Sequence, residues 1–185
     1  MKNKKVIGIL AGSLRKESFS KKLGKAVVSM APEGYEFRMI SLEDLPVYNQ
    51  DFDDHDQVPD SYVAFRKEIA AMDGFIFITP EHNRSIPAVL KNAVDIASRP
   101  RGKNLWSGKP GAVFSNSPGP LSAFGAHHHL RQVLVCLNVH VQAQPEVYLA
   151  KIGEAFEENG DLNTSVKGFV QKAVDAFVSW VERLG

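Results

Sequence analysis

The fold is decided by a stretch near the amino end of the chain, which reads Val6-Ile7-Gly8-Ile9-Leu10-Ala11-Gly12-Ser13-Leu14-Arg15-Lys16-Glu17-Ser18-Phe19-Ser20. Its first six residues form a continuous apolar run, which is typical of a β-strand covered on both faces. A polar loop follows, and apolar residues then recur at helical spacing up to Met30. A buried strand that leads through a polar loop into a helix predicts an α/β protein with a parallel sheet.

The same alternation of short apolar runs and longer helical segments continues along the whole chain. Strands are predicted at residues 6–11, 35–42, 75–79, 111–115 and around 140–149, and helices at 19–30, 58–72, 87–97, 122–137 and 166–184. Such an order predicts a parallel sheet with helices on both faces. No linker interrupts it, so residues 1–185 are expected to form a single domain. Ligands of such sheets bind beyond the carboxyl ends of the strands, which here are the loops after residues 11, 79 and 115.

Composition excludes several classes of protein. The chain is 44% hydrophobic and 23% charged, as in ordinary globular proteins, and its net charge of +1 argues against a dedicated nucleic-acid binder. The single cysteine, Cys136, excludes an intrachain disulfide, and we expect it to be a small buried apolar side chain. Neither a signal-peptide pattern nor an apolar window long enough to span a membrane is found, which predicts a cytoplasmic protein.

The loop of residues 12–20 predicts a phosphate site. It places the hydroxyls of Ser13, Ser18 and Ser20 and the cations of Arg15 and Lys16 at the start of a helix, where free N–H groups and the helix dipole attract anions. The spacing matches neither the dinucleotide pattern Gly-x-Gly-x-x-Gly nor the nucleoside-triphosphate pattern Gly-x-x-x-x-Gly-Lys, so a monophosphate fits best. A plainer interpretation, in which a serine only caps the helix and Arg15 is solvated, remains open and is compatible with the first.

The loop after the third strand is the most specific stretch of the sequence. Pro80 and Pro87 stiffen its two ends. We expect the backbone N–H groups from Glu81 to Asn83 to be free to meet the polar edge of a flat heterocycle, with the His82 ring offering an aromatic face.

Three motifs stand at the ends of predicted strands: Gly12-Ser13-Leu14-Arg15 with Ser18, Pro80-Glu81-His82-Asn83-x-Ser85-x-Pro87-x-x-Leu90-Lys91-Asn92-Ala93-x-Asp95, and Ser115-x-Ser117-x-Gly119. Together they resemble those of the NADPH-dependent FMN reductase family, and the chain is most similar to its bacterial quinone and chromate reductases. The resemblance covers essentially all 185 residues and implies a flavodoxin-like three-layer sandwich with a five-stranded parallel sheet in the order 2-1-3-4-5. The family usually has tyrosine where His82 stands, and asparagine is common where Ser20 stands.

The resemblance also implies an activity: an FMN-dependent oxidoreductase that passes a hydride from NAD(P)H to noncovalently bound FMN and then to quinones, chromate or similar acceptors. It implies a homodimer or homotetramer, with an interface near the helix of residues 122–137. No side chain is expected to act as a catalytic acid or base, because FMN carries the chemistry. The alternatives are a flavodoxin-type electron carrier and a hydrolase or phosphate-binding module without flavin. The implied cofactor-binding residues are Ser13, Arg15, Ser18, Phe19 and Ser20 for the phosphate, and Pro80, Glu81, His82, Asn83, Ser85, Ser115, Ser117 and Gly119 for the isoalloxazine ring.

Two clusters of polar residues look like metal sites without having the geometry of one, and no metal is expected. The rings of His127, His128 and His129 would point about 100° apart on a helix and could not converge on one ion. The acidic run of residues 51–56 lacks the calcium-loop spacing, so we expect a solvated loop there.

Overall fold

The structure is a computed structural model that describes residues 4–185. Helices and strands alternate as the sequence predicts, and the order of the five predicted strands is confirmed as β2-β1-β3-β4-β5, all parallel. The fold is flavodoxin-like. Its elements are β1 (Lys5–Ala11), α1 (Phe19–Val28), β2 (Tyr35–Ile40), α2 (Asp51–Asp54), α3 (Asp60–Ala70), β3 (Gly74–Thr79), α4 (Ala88–Ala97), β4 (Pro110–Asn116), α5 (Phe124–Cys136), β5 (His140–Val141), β6 (Val147–Leu149), a 3-10 helix (Ile152–Ala155) and α6 (Thr164–Leu184).

The strands are apolar throughout because the sheet is buried on both faces. Along β3, Phe75 and Phe77 point into the core formed with α3, α4 and α5, whereas Ile76 and Ile78 point into the core formed with α1 and α6. All four side chains are fully buried. A strand of this kind has no polar face, which explains the unbroken apolar runs in the sequence.

The last predicted strand is divided into two short ones. β5 pairs with the beginning of β4 and β6 with its end, through Gly111–Val141 and Phe114–Val147 respectively. Pro145 lies between them, and because proline has no N–H it cannot donate to the ladder. The edge of the sheet is therefore interrupted beside β4.

Two expectations about single residues are wrong. Cys136, the last residue of α5, is exposed instead of buried, because it lies on the outer face of that helix. Asp53 does not belong to a solvated loop: it lies on the short helix α2, and its side chain is only 3% exposed. The guanidinium of Arg66 donates to both Asp53 oxygens at 2.7 and 2.8 Å, which compensates this carboxylate for its burial.

Within residues 4–185, no helix is both long enough and apolar enough to cross a bilayer.

Candidate functional site

A cleft of about 160 Å³ lies at the carboxyl ends of β1, β3 and β4. Four other clefts among the described residues are larger, at about 190, 380, 400 and 420 Å³, but this one lies where parallel sheets bind ligands. It also brings the three predicted loops together. Its lining residues are Ser13, Arg15, Ser18, Phe19, Ser20, Pro80, Glu81, His82, Asn116, Ser117 and Pro118.

Ser18 is the N-cap of α1. Its Oγ accepts a hydrogen bond from the backbone N–H of Lys21 at 3.2 Å, and the residue is 3% exposed. The cap that the plainer interpretation expects is present, and the same hydroxyl keeps its own hydrogen to donate to a ligand. Arg15 is exposed and pairs with no acidic side chain in the described part of the chain. The loop therefore brings an unpaired guanidinium and a buried hydroxyl donor to the start of the helix.

Ser20 faces the end of β4. Its Oγ lies 3.3 Å from Oδ1 and 3.1 Å from Nδ2 of Asn116, and both residues are almost fully buried. The pair ties the first turn of α1 to the third loop. Sequence reasoning missed Asn116, although strand alternation held a signal: Ser115 and Asn116 must point to opposite faces of the sheet, and α1 covers the face of Asn116.

The loop after β3 forms a tight two-residue turn. The N–H groups of His82 and Ser85 each donate to the other residue's carbonyl at 2.9 Å, and the two residues between them, Asn83 and Arg84, have φ of 51° and 64°. Two successive positive φ angles are typical of a type I′ hairpin turn. The expectation of a free N–H at His82 is therefore wrong, because that group closes the hairpin.

The carboxylate of Glu81 fastens this loop to α5. One of its oxygens accepts from the N–H of Ala126 at 3.0 Å, at the helix end where negative charge is favoured. A Cβ on Gly125 would lie 2.9 Å from the same oxygen, so glycine at this position leaves room for the contact. Glu81 also pairs with Arg84 at 3.3 Å. The carboxylate is thus engaged in holding the loop.

Four predicted residues do not line the cleft. The Oγ of Ser85 forms a hydrogen bond with Nδ1 of His129 at 2.8 Å, and Asn83 lies on the exposed turn. Ser115 is fully buried and donates to the carbonyl of Val147 at 3.1 Å. The carbonyl of Gly119 accepts from the Ser117 hydroxyl at 3.0 Å. These residues shape the loops around the cleft.

The three consecutive histidines point to different surroundings. His127 is fully buried, neither of its ring nitrogens has a hydrogen-bond partner in the described structure, and burial lowers its pKa to about 3, assisted by the nearby charges of Arg131 and His128. Nε2 of His128 forms a hydrogen bond with the Tyr148 hydroxyl at 3.0 Å. Within residues 4–185, no three metal-binding side chains are grouped around a common point.

Comparison with known proteins identifies the family. Residues 5–154 match the family model of the NADPH-dependent FMN reductases. A quinone reductase of Pseudomonas putida is 43% identical over 176 residues, covering 95% of this chain and 94% of the relative. A 2-hydroxy-1,4-benzoquinone reductase of a Burkholderia species is 39% identical over 176 residues, covering 95% of each.

The solved structures point the same way. The flavoenzyme FerB, an NAD(P)H:(acceptor) oxidoreductase from Paracoccus denitrificans, superposes with a TM-score of 0.90 at 38% identity, covering 98% of this chain and 99% of that one. None of these relatives is named as an electron carrier, so the carrier alternative gains no support. The chain belongs to the NADPH-dependent FMN reductase family, as an oxidoreductase with FMN as its cofactor and NAD(P)H as its electron donor.

Proposed function

We propose that the physiological acceptors of this oxidoreductase are quinones, and that FMN lies in the cleft where β1, β3 and β4 end. The observation that carries the proposal is the convergence of an anion-binding helix start with two rigid loops in one cleft. The acceptor class follows the relatives named as quinone reductases, with which the chain shares about two residues in five. Chromate and other small acceptors are secondary candidates.

The donor set at the start of α1 fits the FMN phosphate. The first N–H groups of the helix, at Phe19 and Ser20, have no acceptor within the helix. Arg15 brings an unpaired guanidinium, and Ser13 and Ser18 bring hydroxyls. A dianion held by several charge-assisted hydrogen bonds is what such a set binds best. We therefore assign the phosphate to Ser13, Arg15, Ser18, Phe19 and Ser20.

The other two loops fit a flat ring. Pro80, Glu81 and His82 line the cleft from the loop after β3, which the contact between Glu81 and Ala126 holds in place. Ser117 and Pro118 line it from the loop after β4. Asn83, Ser85, Ser115 and Gly119 support these loops from behind. When bound, FMN supplies the redox chemistry, taking a hydride from NAD(P)H and passing electrons on to the acceptor. The chain orients the two substrates and excludes water from one side of the ring.

An exposed apolar face on α5 supports assembly into a homodimer or homotetramer. Leu121, just before the helix, and Phe124 and Val135 on it are 55%, 56% and 65% exposed. Such side chains on one helix face are favoured at subunit interfaces. We propose that residues 1–185 act as one FMN-binding domain in a cytoplasmic homo-oligomer.

The test begins with the purified protein and its absorption spectrum, which should show flavin bands that persist after gel filtration. The holoenzyme should then oxidise NADPH or NADH with a water-soluble benzoquinone as the acceptor, without air. Chromate and a free flavin, supplied in parallel, rank the acceptors. Flavin bands without turnover of any quinone, or turnover only with an added partner reductase, would overturn the proposal.

A further inference from the structure

His82 and Arg15 are the ionisable side chains of the cleft lining that make no side-chain hydrogen bond or ion pair within residues 4–185. His82 is exposed, so its imidazole ring is open to a molecule bound in the cleft. In contrast to the expectation that no side chain acts as an acid or base, we propose that His82 donates the proton that accompanies quinone reduction and is a catalytic residue of this enzyme. The inference rests on the proposed function.

The chemistry of the acceptor requires such a proton. A quinone becomes a hydroquinone by gaining two electrons and two protons. NAD(P)H supplies both electrons and one proton as a hydride, and becomes NAD(P)⁺. The second proton must reach the other quinone oxygen, on which negative charge develops as the electrons arrive. An imidazolium beside that oxygen would break its N–H bond as the new O–H bond forms, which leaves a neutral imidazole.

The other polar side chains of the cleft are poor proton donors. Glu81 is tied to the Ala126 N–H and to Arg84. Guanidinium groups do not give up a proton in proteins, and serine hydroxyls are too weakly acidic. Imidazole alone among ordinary side chains gains and loses a proton near neutral pH. Arg15, which also lines the cleft, and Arg84 on the same loop as His82 therefore do not compete for the role.

The turn gives His82 the two properties that a recycled proton donor needs. Its backbone is fixed by the paired hydrogen bonds with Ser85, at 2.9 Å each. The Ser85 hydroxyl forms a hydrogen bond with His129 on α5, so a residue that does not line the cleft stabilises the turn. The ring is nevertheless exposed, so that solvent can return a proton after each turnover. A fixed backbone with an open ring suits a general acid that acts once in every cycle.

The experiment compares two acceptors in holoenzymes carrying His82→Gln or His82→Phe. Benzoquinone takes up protons with its electrons, whereas ferricyanide takes up electrons alone. We expect kcat with benzoquinone to fall about 100-fold, as is typical for the loss of a general acid, and kcat with ferricyanide to stay within about twofold of wild type. Added free imidazole should restore part of the benzoquinone rate in the His82→Gln variant. His55→Gln, which changes an exposed histidine outside the cleft, is the matched control and should leave both rates unchanged.

An equilibrium measurement gives a readout that does not depend on turnover. The anion of 4-nitrophenol resembles the charged oxygen that forms during the reaction, and its visible absorption reports binding. We expect it to bind the oxidised holoenzyme about tenfold more weakly in both variants, since each lacks a cationic donor. Fluorescence titration should show FMN affinity unchanged in His82→Gln.

The outcomes separate the two proposals. If the wild-type protein reduces ferricyanide but no quinone, the proposed acceptor is wrong. If the wild-type protein reduces benzoquinone and both variants do so equally fast, or if both acceptors slow down together, His82 is not the proton donor.

Discussion

Replacing Ser18 in two different ways should separate its role in the helix from its role toward FMN. Ser18→Ala removes both the Oγ that accepts from the Lys21 N–H at 3.2 Å and the hydroxyl hydrogen proposed for the phosphate. Ser18→Asp keeps an oxygen acceptor at the N-cap position, where aspartate is as good as serine. It also places a negative charge where the phosphate should lie. Both variants should therefore weaken FMN binding, Ser18→Asp more than Ser18→Ala, whereas Ser18→Ala alone loses the cap of the helix.

The magnitudes follow from the contacts at Ser18. Loss of the cap in Ser18→Ala should cost about 1 kcal/mol, or about 2–4 °C in the melting temperature of a domain of this size. Loss of one hydrogen bond to a charged group should weaken FMN binding by about 1.5–3 kcal/mol, roughly 10- to 150-fold. In Ser18→Asp, repulsion between unit charges about 4 Å apart costs about 4 kcal/mol near a protein surface, or about 1,000-fold in affinity. Its apoprotein keeps the cap acceptor but carries a charge at a position that is only 3% exposed, so it should melt at or below the wild-type temperature.

Both quantities are measurable on one preparation. Thermal unfolding must be followed on the apoprotein, because bound FMN would add its own stabilisation to every melting curve. Affinity is then read from the quenching of flavin fluorescence as apoprotein is titrated with FMN. An aspartate variant that binds FMN as tightly as wild type would refute the phosphate assignment, whatever its stability. An alanine variant with an unchanged melting temperature would show that the cap contributes nothing.

Three further perturbations test the loop and the core. Arg15→Ala should weaken FMN binding about tenfold or more without lowering apoprotein stability, whereas Lys16→Ala, just outside the cleft lining, should change fluorescence titrations little. Asp53→Asn should lower the free energy of unfolding in urea by about 1–3 kcal/mol, because it leaves the partly buried Arg66 guanidinium without its carboxylate partner. Hydrogen bonding to Arg66 lowers the pKa of Asp53 below its ordinary value of 3.8. The pair therefore stabilises the fold fully at pH values above 3.8, and this stabilisation is lost as the pH falls through the lower pKa of the folded state. His127→Leu should stabilise the protein more in acid than near neutrality. Below pH 6.5 the histidine of the unfolded chain takes up a proton, whereas folded His127, with a pKa of about 3, stays neutral. The stability gained by the substitution should therefore be about 2 kcal/mol larger near pH 5 than near pH 8, as measured in paired thermal melts. Equal gains at both pH values would contradict a neutral, buried imidazole.

The bounds of a helix or strand could be predicted closely from the sequence where neighbouring residues alone determine them. β3 was expected at 75–79 and occupies Gly74–Thr79, because a strand buried on both faces is apolar at every position. The start of α1 at Phe19 follows from the serine before it, which is a frequent N-cap. The predicted exposures of Asp53 and Cys136 were wrong for a common reason, which is that the surroundings of both side chains depend on distant residues. Burial of Asp53 requires Arg66, and exposure of Cys136 depends on the face of α5 that turns outward.

The candidate site shows the same division between local and distant determinants. The loop that we propose for the phosphate could be recognised from the sequence, because a helix start and its hydroxyls lie within nine residues of one another. The segment of residues 80–85 was recognised as a loop, but its shape was not, since it depends on two contacts with α5 more than forty residues away: Glu81 with Ala126, and Ser85 with His129. These contacts hold the backbone on either side of His82. A loop fixed on both sides against a helix can keep one side chain facing the cleft without a hydrogen bond to its ring, and that combination is what leaves His82 available for proton transfer.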